Sequence, residues 1–184
     1  MNESRTNVWE LRCGNVNDFS MIVPAGPDVS KFDVNGQPLD WMSRPVIEYA
    51  DSRSRGKKKR PVADVAAIGG GAFVLSPHAK EVLGPFLSQF GQLLEVQTAG
   101  GAEFRYFYNV TNLVPCVDLA ASKKSDWGSL KKEAFDDAAV PRAAAVFKDP
   151  NTAAWRMYTN DAGREMLERL ASEAALTGLE VGEF

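Results

Sequence analysis

Apolar residues recur along the chain in two ways, as alternation and as helical stripes, and together these mark most of its elements. Phe104, Tyr106, Tyr108 and Val110 alternate with Glu103, Arg105 and Asn109, which predicts a strand with one apolar face. Phe107 is the one apolar residue on the other face, so partial cover is expected there too. Leu93 to Thr98 reads as the partner strand, because Gly100-Gly101 between the two suits a tight hairpin turn. Val8, Trp9 and Leu11, then Phe19, Met21, Ile22 and Val23, predict two short strands around a polar turn at Gly14–Asp18. Pro24 to Pro38 is rich in Pro, Gly, Asp and Asn and reads as a long connection, after which Pro45–Tyr49 predicts a third strand. Phe73–Leu75 closes the segment that begins at Asp64. Ala143–Phe147 and Trp155–Thr159 predict an antiparallel pair joined around Asp149-Pro150-Asn151, and Leu179–Val181 begins a short terminal strand.

Two helices stand out. Ser76 can accept a free N–H of the first turn, and Pro77 suits the first helical position, where its missing N–H costs nothing. Val82, Leu83, Phe86, Leu87 and Phe90 then share a face. Pro85, inside this helix, removes a backbone bond and is expected to kink or break it. The second helix starts at Asn160 or Asp161 and buries Met166, Leu167, Leu170 and Ala174, with Glu165, Glu168 and Glu173 outside. Gly178 stands where a positive φ would end that helix. Strands that arrive as hairpins beside two main helices predict an α+β fold, one domain over 1–184 with a mostly antiparallel sheet.

Composition adds limits. A chain of 184 residues can bury a full core without a metal or disulfide staple. The net charge of −3 argues against a general nucleic-acid binder. Cys13 and Cys116 are far apart and form no metal-binding pattern, so buried thiols are expected. The polar N-terminus and the lack of any apolar run of ~20 residues lead us to expect a cytoplasmic protein with no membrane partner. The one strongly biased segment is 51–61, with Arg53, Arg55, Lys57, Lys58, Lys59 and Arg60, read as a mobile basic loop.

Candidate chemistry is thin. His78 is the single histidine and reads as a solvated surface residue. Cys116, Asp118 and His78 can be assembled into a nucleophilic triad on paper, yet no local signature supports one. Gly69-Gly70-Gly71 lacks the spacing of a phosphate loop and reads as a turn. No catalytic residue, metal ligand set or cofactor is therefore expected. Aromatic residues beside charges are more informative, since Trp, Tyr and Arg are enriched at interface hot spots. Tyr106 and Trp155 are expected in the core. Trp127 lies in the polar stretch Ser122–Ser129 and is expected to be exposed. Trp41 and Arg44, with Lys123, Lys124, Asp126 and Trp127, are the candidate residues for binding another protein. The alternatives are a small enzyme or nucleotide-binding protein using Asp118, Ser122 and His78, and a nucleic-acid accessory protein using Arg53–Arg60.

From Asp64 onward, about two thirds of the chain, the order of segments resembles a family of bacterial polymorphic-toxin immunity proteins long catalogued as a domain of unknown function. The matching pieces are Phe73–Ser76 opening a helix, then Tyr108–Val110, then Val117–Leu119 with Ser122 following. Ala145–Phe147, the Tyr158-Thr159 strand and Leu176–Leu179 continue the series. The resemblance implies direct binding and neutralisation of a cognate toxin, of the contact-dependent or type VI secreted kind, encoded nearby.

Overall fold

Glycines at 100 and 101 take φ of +94° and +72° and begin the turn of the longest hairpin among the described residues. The structure, a computed structural model, describes residues 6–14, 18–50, 60–101 and 103–183. The expected basic loop lies outside these residues apart from Arg60 and Pro61. In chain order the elements begin with β1 (Val8–Cys13), β2 (Met21–Pro24), a 3-10 turn (Gly26–Lys31), β3 (Val46–Ala50), β4 (Val65–Ala67) and β5 (Phe73–Leu75). Then come α1 (Pro77–Leu87), β6 (Gly91–Thr98), β7 (Phe104–Val110), β8 (Lys123–Lys124) and β9 (Leu130–Lys132). The chain ends with β10 (Val146–Phe147), β11 (Tyr158–Asn160), α2 (Asp161–Glu173) and β12 (Leu179–Gly182).

The fold is α+β and mostly antiparallel, with its strands divided among three sheets. Six strands follow the order β2-β3-β6-β7-β5-β4, and only β3 with β6 is parallel. The outer strands β2 and β4 curl toward each other, and the Ser20 N–H reaches the Pro61 carbonyl at 2.9 Å, so this sheet nearly closes into a barrel. A second sheet, β10-β11-β1-β12, is antiparallel throughout. Thus β1 and β2, expected as neighbouring strands around one turn, lie in different sheets. The remaining pair, β8 and β9, forms a separate ribbon.

Sidedness of the six strands explains the core. Ile22, Ile47, Ala66, Val74, Val96 and Phe107, one from each strand, pack in one cluster within the curl. The connection after β2 plugs this interior with Phe32, Val34 and Leu39, and its backbone is tied to Gln92 by bonds at Leu39 N–H and C=O of 2.8 and 3.1 Å. On the opposite face Phe73, Leu75, Tyr108 and Val110 meet α1, α2 and the second sheet through Leu83, Leu167, Leu11, Val146 and Met157. Strand β7 is thus covered on both sides, and its buried polar residues Arg105 and Asn109 donate to neighbouring groups. Arg105 donates to the Tyr49 hydroxyl and the Ala63 carbonyl, both at 2.9 Å, and Asn109 Nδ2 to the Gln37 carbonyl at 2.8 Å.

Both helix starts follow from the sequence. Ser76 Oγ accepts the Ala79 N–H at 3.0 Å and donates to Asp64 at 2.8 Å. Asn160 Oδ1 accepts the Gly163 N–H at 2.9 Å. Two expectations fail. Pro85 does not break α1, because it sits in the last turn, where one missing N–H ends few bonds. The positive φ that follows α2 belongs to Ala175 at +51°, not to Gly178. Gly178 also has positive φ, at +89°, but serves a close approach, since a Cβ there would meet the Val65 carbonyl oxygen at 2.1 Å. No helix among the described residues is long and apolar enough to cross a membrane.

Candidate protein-docking ribbon

The segment from Cys116 to Phe135 leaves the core, forms the β8–β9 ribbon and returns. Its base is held by short-range polar bonds. Cys116 and Val117 N–H groups both donate to Asp149 Oδ2, at 2.8 and 2.7 Å. Asp118 Oδ1 accepts the N–H groups of Ala120 and Ala121 at 2.9 and 3.0 Å, which turns the chain. Ser122 Oγ donates to the Asp118 carbonyl at 2.5 Å and accepts the Ala134 N–H at 2.9 Å, so one hydroxyl clamps both arms.

The tip is equally defined. The Ser125 N–H reaches the Ser129 carbonyl at 2.8 Å, the Gly128 N–H reaches the Ser125 carbonyl at 2.9 Å, and the two serine hydroxyls are 2.6 Å apart. Gly128 has φ of +80°, which a side chain would oppose. This turn leaves Trp127 in solvent at 95% exposure. Lys123, Lys124, Lys131 and Lys132 are all exposed, and none makes a side-chain hydrogen bond or ion pair among the described residues. Lys123 stands directly opposite Lys132, and like charges so placed disfavour pairing. Asp126 is the one acid in the tip. The result is a preformed, basic projection ended by an indole.

Sequence reasoning named Lys123, Lys124, Asp126 and Trp127 as binding candidates on a polar stretch, without expecting the hairpin, and missed Lys131 and Lys132. The signal was present, since Lys123-Lys124 and Lys131-Lys132 flank Gly128 almost symmetrically, as the arms of a hairpin do. Trp41 and Arg44 do not join them. Trp41 is packed, with ring centroids 5.5 Å from both Phe32 and Phe107 and Nε1 donating to the Lys31 carbonyl at 2.9 Å. Arg44 is exposed but bound to Glu95 at 2.7 Å and stacked 5.1 Å over Phe104. No hydrogen bond, ion pair or ring contact links either residue to the ribbon among the described residues. Trp155, expected in the core, is 52% exposed, because residues 151–155 form a turn and the strand begins only at Tyr158. Tyr106 packs against the core as expected.

The residues of the alternative catalytic reading are spent elsewhere. His78 Nε2 lies 3.3 Å from the Ala174 carbonyl at the surface. The Cys116 thiol is buried, and burial together with the Asp149 carboxylate pushes it up to about 12, so it stays protonated at neutral pH. Asp118 and Ser122 hold the ribbon's base. No hydrogen bond joins His78 to Cys116, Asp118 or Ser122 among the described residues. Compared with known proteins, the chain matches no family model and no curated protein.

Proposed function

We propose that this chain is an immunity protein that binds a cognate secreted bacterial toxin in the cytoplasm and neutralises it by direct contact. The observation that carries the reading is the ribbon, which holds an indole at 95% exposure on a hydrogen-bonded turn among four lysines that are unpaired among the described residues. An exposed aromatic on a rigid support loses little entropy when a partner covers it, which is the hallmark of a hot spot. The unpaired ammonium groups favour a partner whose facing surface is acidic, since complementary charge steers encounter and fixes register. The sequence resemblance to immunity proteins gives the partner its class. Inhibition of this kind needs no reactive side chain.

The test uses the product of the gene beside the one encoding this chain. Co-expression with wild-type protein is expected to protect cells, and Trp127→Ala to weaken binding by about 30-fold or more, as for a hot spot of at least ~2 kcal/mol. The melting temperature of Trp127→Ala should stay within about 2 °C, as for a surface substitution. Unchanged binding by that variant removes the ribbon from the interface. Failure of the wild type to protect removes the immunity reading.

A further inference from the structure

The curl of the six-stranded sheet stays open along one seam. Strands β2 and β4 run in the same direction there, and among the described residues no ladder joins them. One end of the seam is tied, by the Ser20 N–H on the Pro61 carbonyl at 2.9 Å and the Ser20 hydroxyl on the Arg60 carbonyl at 3.2 Å. Along the seam lies a recess of about 690 Å³. Phe19, Ile22 and Val23 stand on its β2 side, and Ala63, Ala66 and Ala67 on its β4 side. The short side chains on the β4 side leave the space, and the residues that plug the interior of the curl, Phe32, Val34 and Leu39, are not among its walls. Its chemistry is one-sided. Arg60, at the tied end, is the single charged residue among the described ones that line it. Cys13 also lines it and stays a neutral thiol, because burial, with the Glu180 carboxylate, pushes it up to about 12.

We infer that this recess binds a small amphiphile, an aliphatic chain with an anionic head, the chain lying along the seam and the head at Arg60. Its volume falls in the range of small-molecule sites, roughly 300–1,000 Å³. Methylenes that displace water from apolar walls supply the affinity, and the lone guanidinium, with no acid among the described lining residues, selects the charge of the head. A peptide strand inserted between β2 and β4 fits less well. On the β4 edge the Val65 N–H is already donated to the Thr177 carbonyl at 3.0 Å, so a strand there finds that donor taken. No residue of the ribbon lines the recess, so this inference stands or falls apart from toxin binding.

Calorimetric titration of the full chain with decanoate, decyl phosphate, decan-1-ol and decyltrimethylammonium, each below its micelle concentration, tests this. Saturable one-to-one binding of an anionic compound is expected, roughly tenfold tighter than decan-1-ol, as for one charge-assisted bond. Octanoate should bind about 15-fold more weakly than decanoate, as for two fewer buried methylenes. Arg60→Gln should lower the affinity for the anion to that for the alcohol and leave the alcohol unchanged, a split that misfolding does not produce. Ala67→Phe, at an exposed position on the wall, fills the recess and should weaken every ligand by about tenfold or more with an unchanged melting temperature. Decanoate bound in preference to decyl phosphate identifies a fatty acid, and the reverse identifies a phosphate-headed lipid. The inference is overturned by the absence of saturable binding, by equal binding of decyltrimethylammonium, or by anion affinity that either variant leaves unchanged. Binding of the extended peptide acetyl-Thr-Val-Thr-Val-Thr-amide that displaces decanoate would make the seam a strand-pairing site and overturn it as well.

Discussion

Lys148, beside β10, is 0% exposed, and its ammonium group donates to the carbonyls of Val34 and Ala153. The four lysines of the ribbon are exposed, two of them directly opposite each other and none with a counter-charge among the described residues. One residue type thus serves two ends within one chain. At Lys148 the charge is bonded to backbone, and it joins the connection that plugs the barrel to the turn before β11. On the ribbon the charges weaken the element that carries them. A region whose polar groups are satisfied internally is explained by the fold. A region whose charges oppose its own pairing calls for something outside the fold.

The largest effect expected from this contrast lies in the interior. Lys148→Ala should cost about 4 kcal/mol, since it opens a cavity and strands two carbonyls. Denaturant unfolding measures it, and a loss below about 1 kcal/mol would show that Lys148 is not a tether. The same site gives a pH test. Burial pushes the Lys148 amine down to about 8 from its ordinary 10.5, with the Asp33 carboxylate acting the other way. Below pH 8 both folded and unfolded chains hold the proton, and the folded state carries the full cost of the buried charge. Between pH 8 and 10.5 the folded chain releases the proton first, so the unfolded state binds more and stability rises with pH. Wild type should therefore gain up to about 3 kcal/mol relative to Lys148→Met across that window. A constant difference between the two would refute the shift.

Much of this arrangement was legible in local sequence, and what was not has a common cause. Ser76-Pro77, Gly100-Gly101 and Asn160 act within a few residues of themselves, so their chemistry fixed caps and a turn that the structure contains. Trp127 was legible because its neighbours are polar. Trp41 was not, since only the long connection folding back onto Phe107 buries its ring. The parallel pairing of β3 with β6 and the placement of β1 and β2 in separate sheets are also decisions between distant segments. Lys148 and Glu133 are hidden for the same reason, because a charged residue in a short window reads as solvated.

The smallest effect is the sharpest test of the contrast. Lys123→Glu replaces a repulsive cross-strand pair with Lys132 by an attractive one, worth about 0.5 kcal/mol and up to ~1. Global unfolding would hardly register so small a local change, so the readout is hydrogen exchange at the ribbon's own turn, where the Ser125 and Gly128 N–H groups are bonded. Protection there should rise roughly two- to fivefold, as that energy implies. The same variant should bind an acidic partner less well, because it places a carboxylate against carboxylates. Stability and binding would then move in opposite directions for one substitution, which no purely structural role for the ribbon allows. If protection falls instead, the paired lysines are not a strain on the ribbon, and the argument that their charges await a partner fails with it.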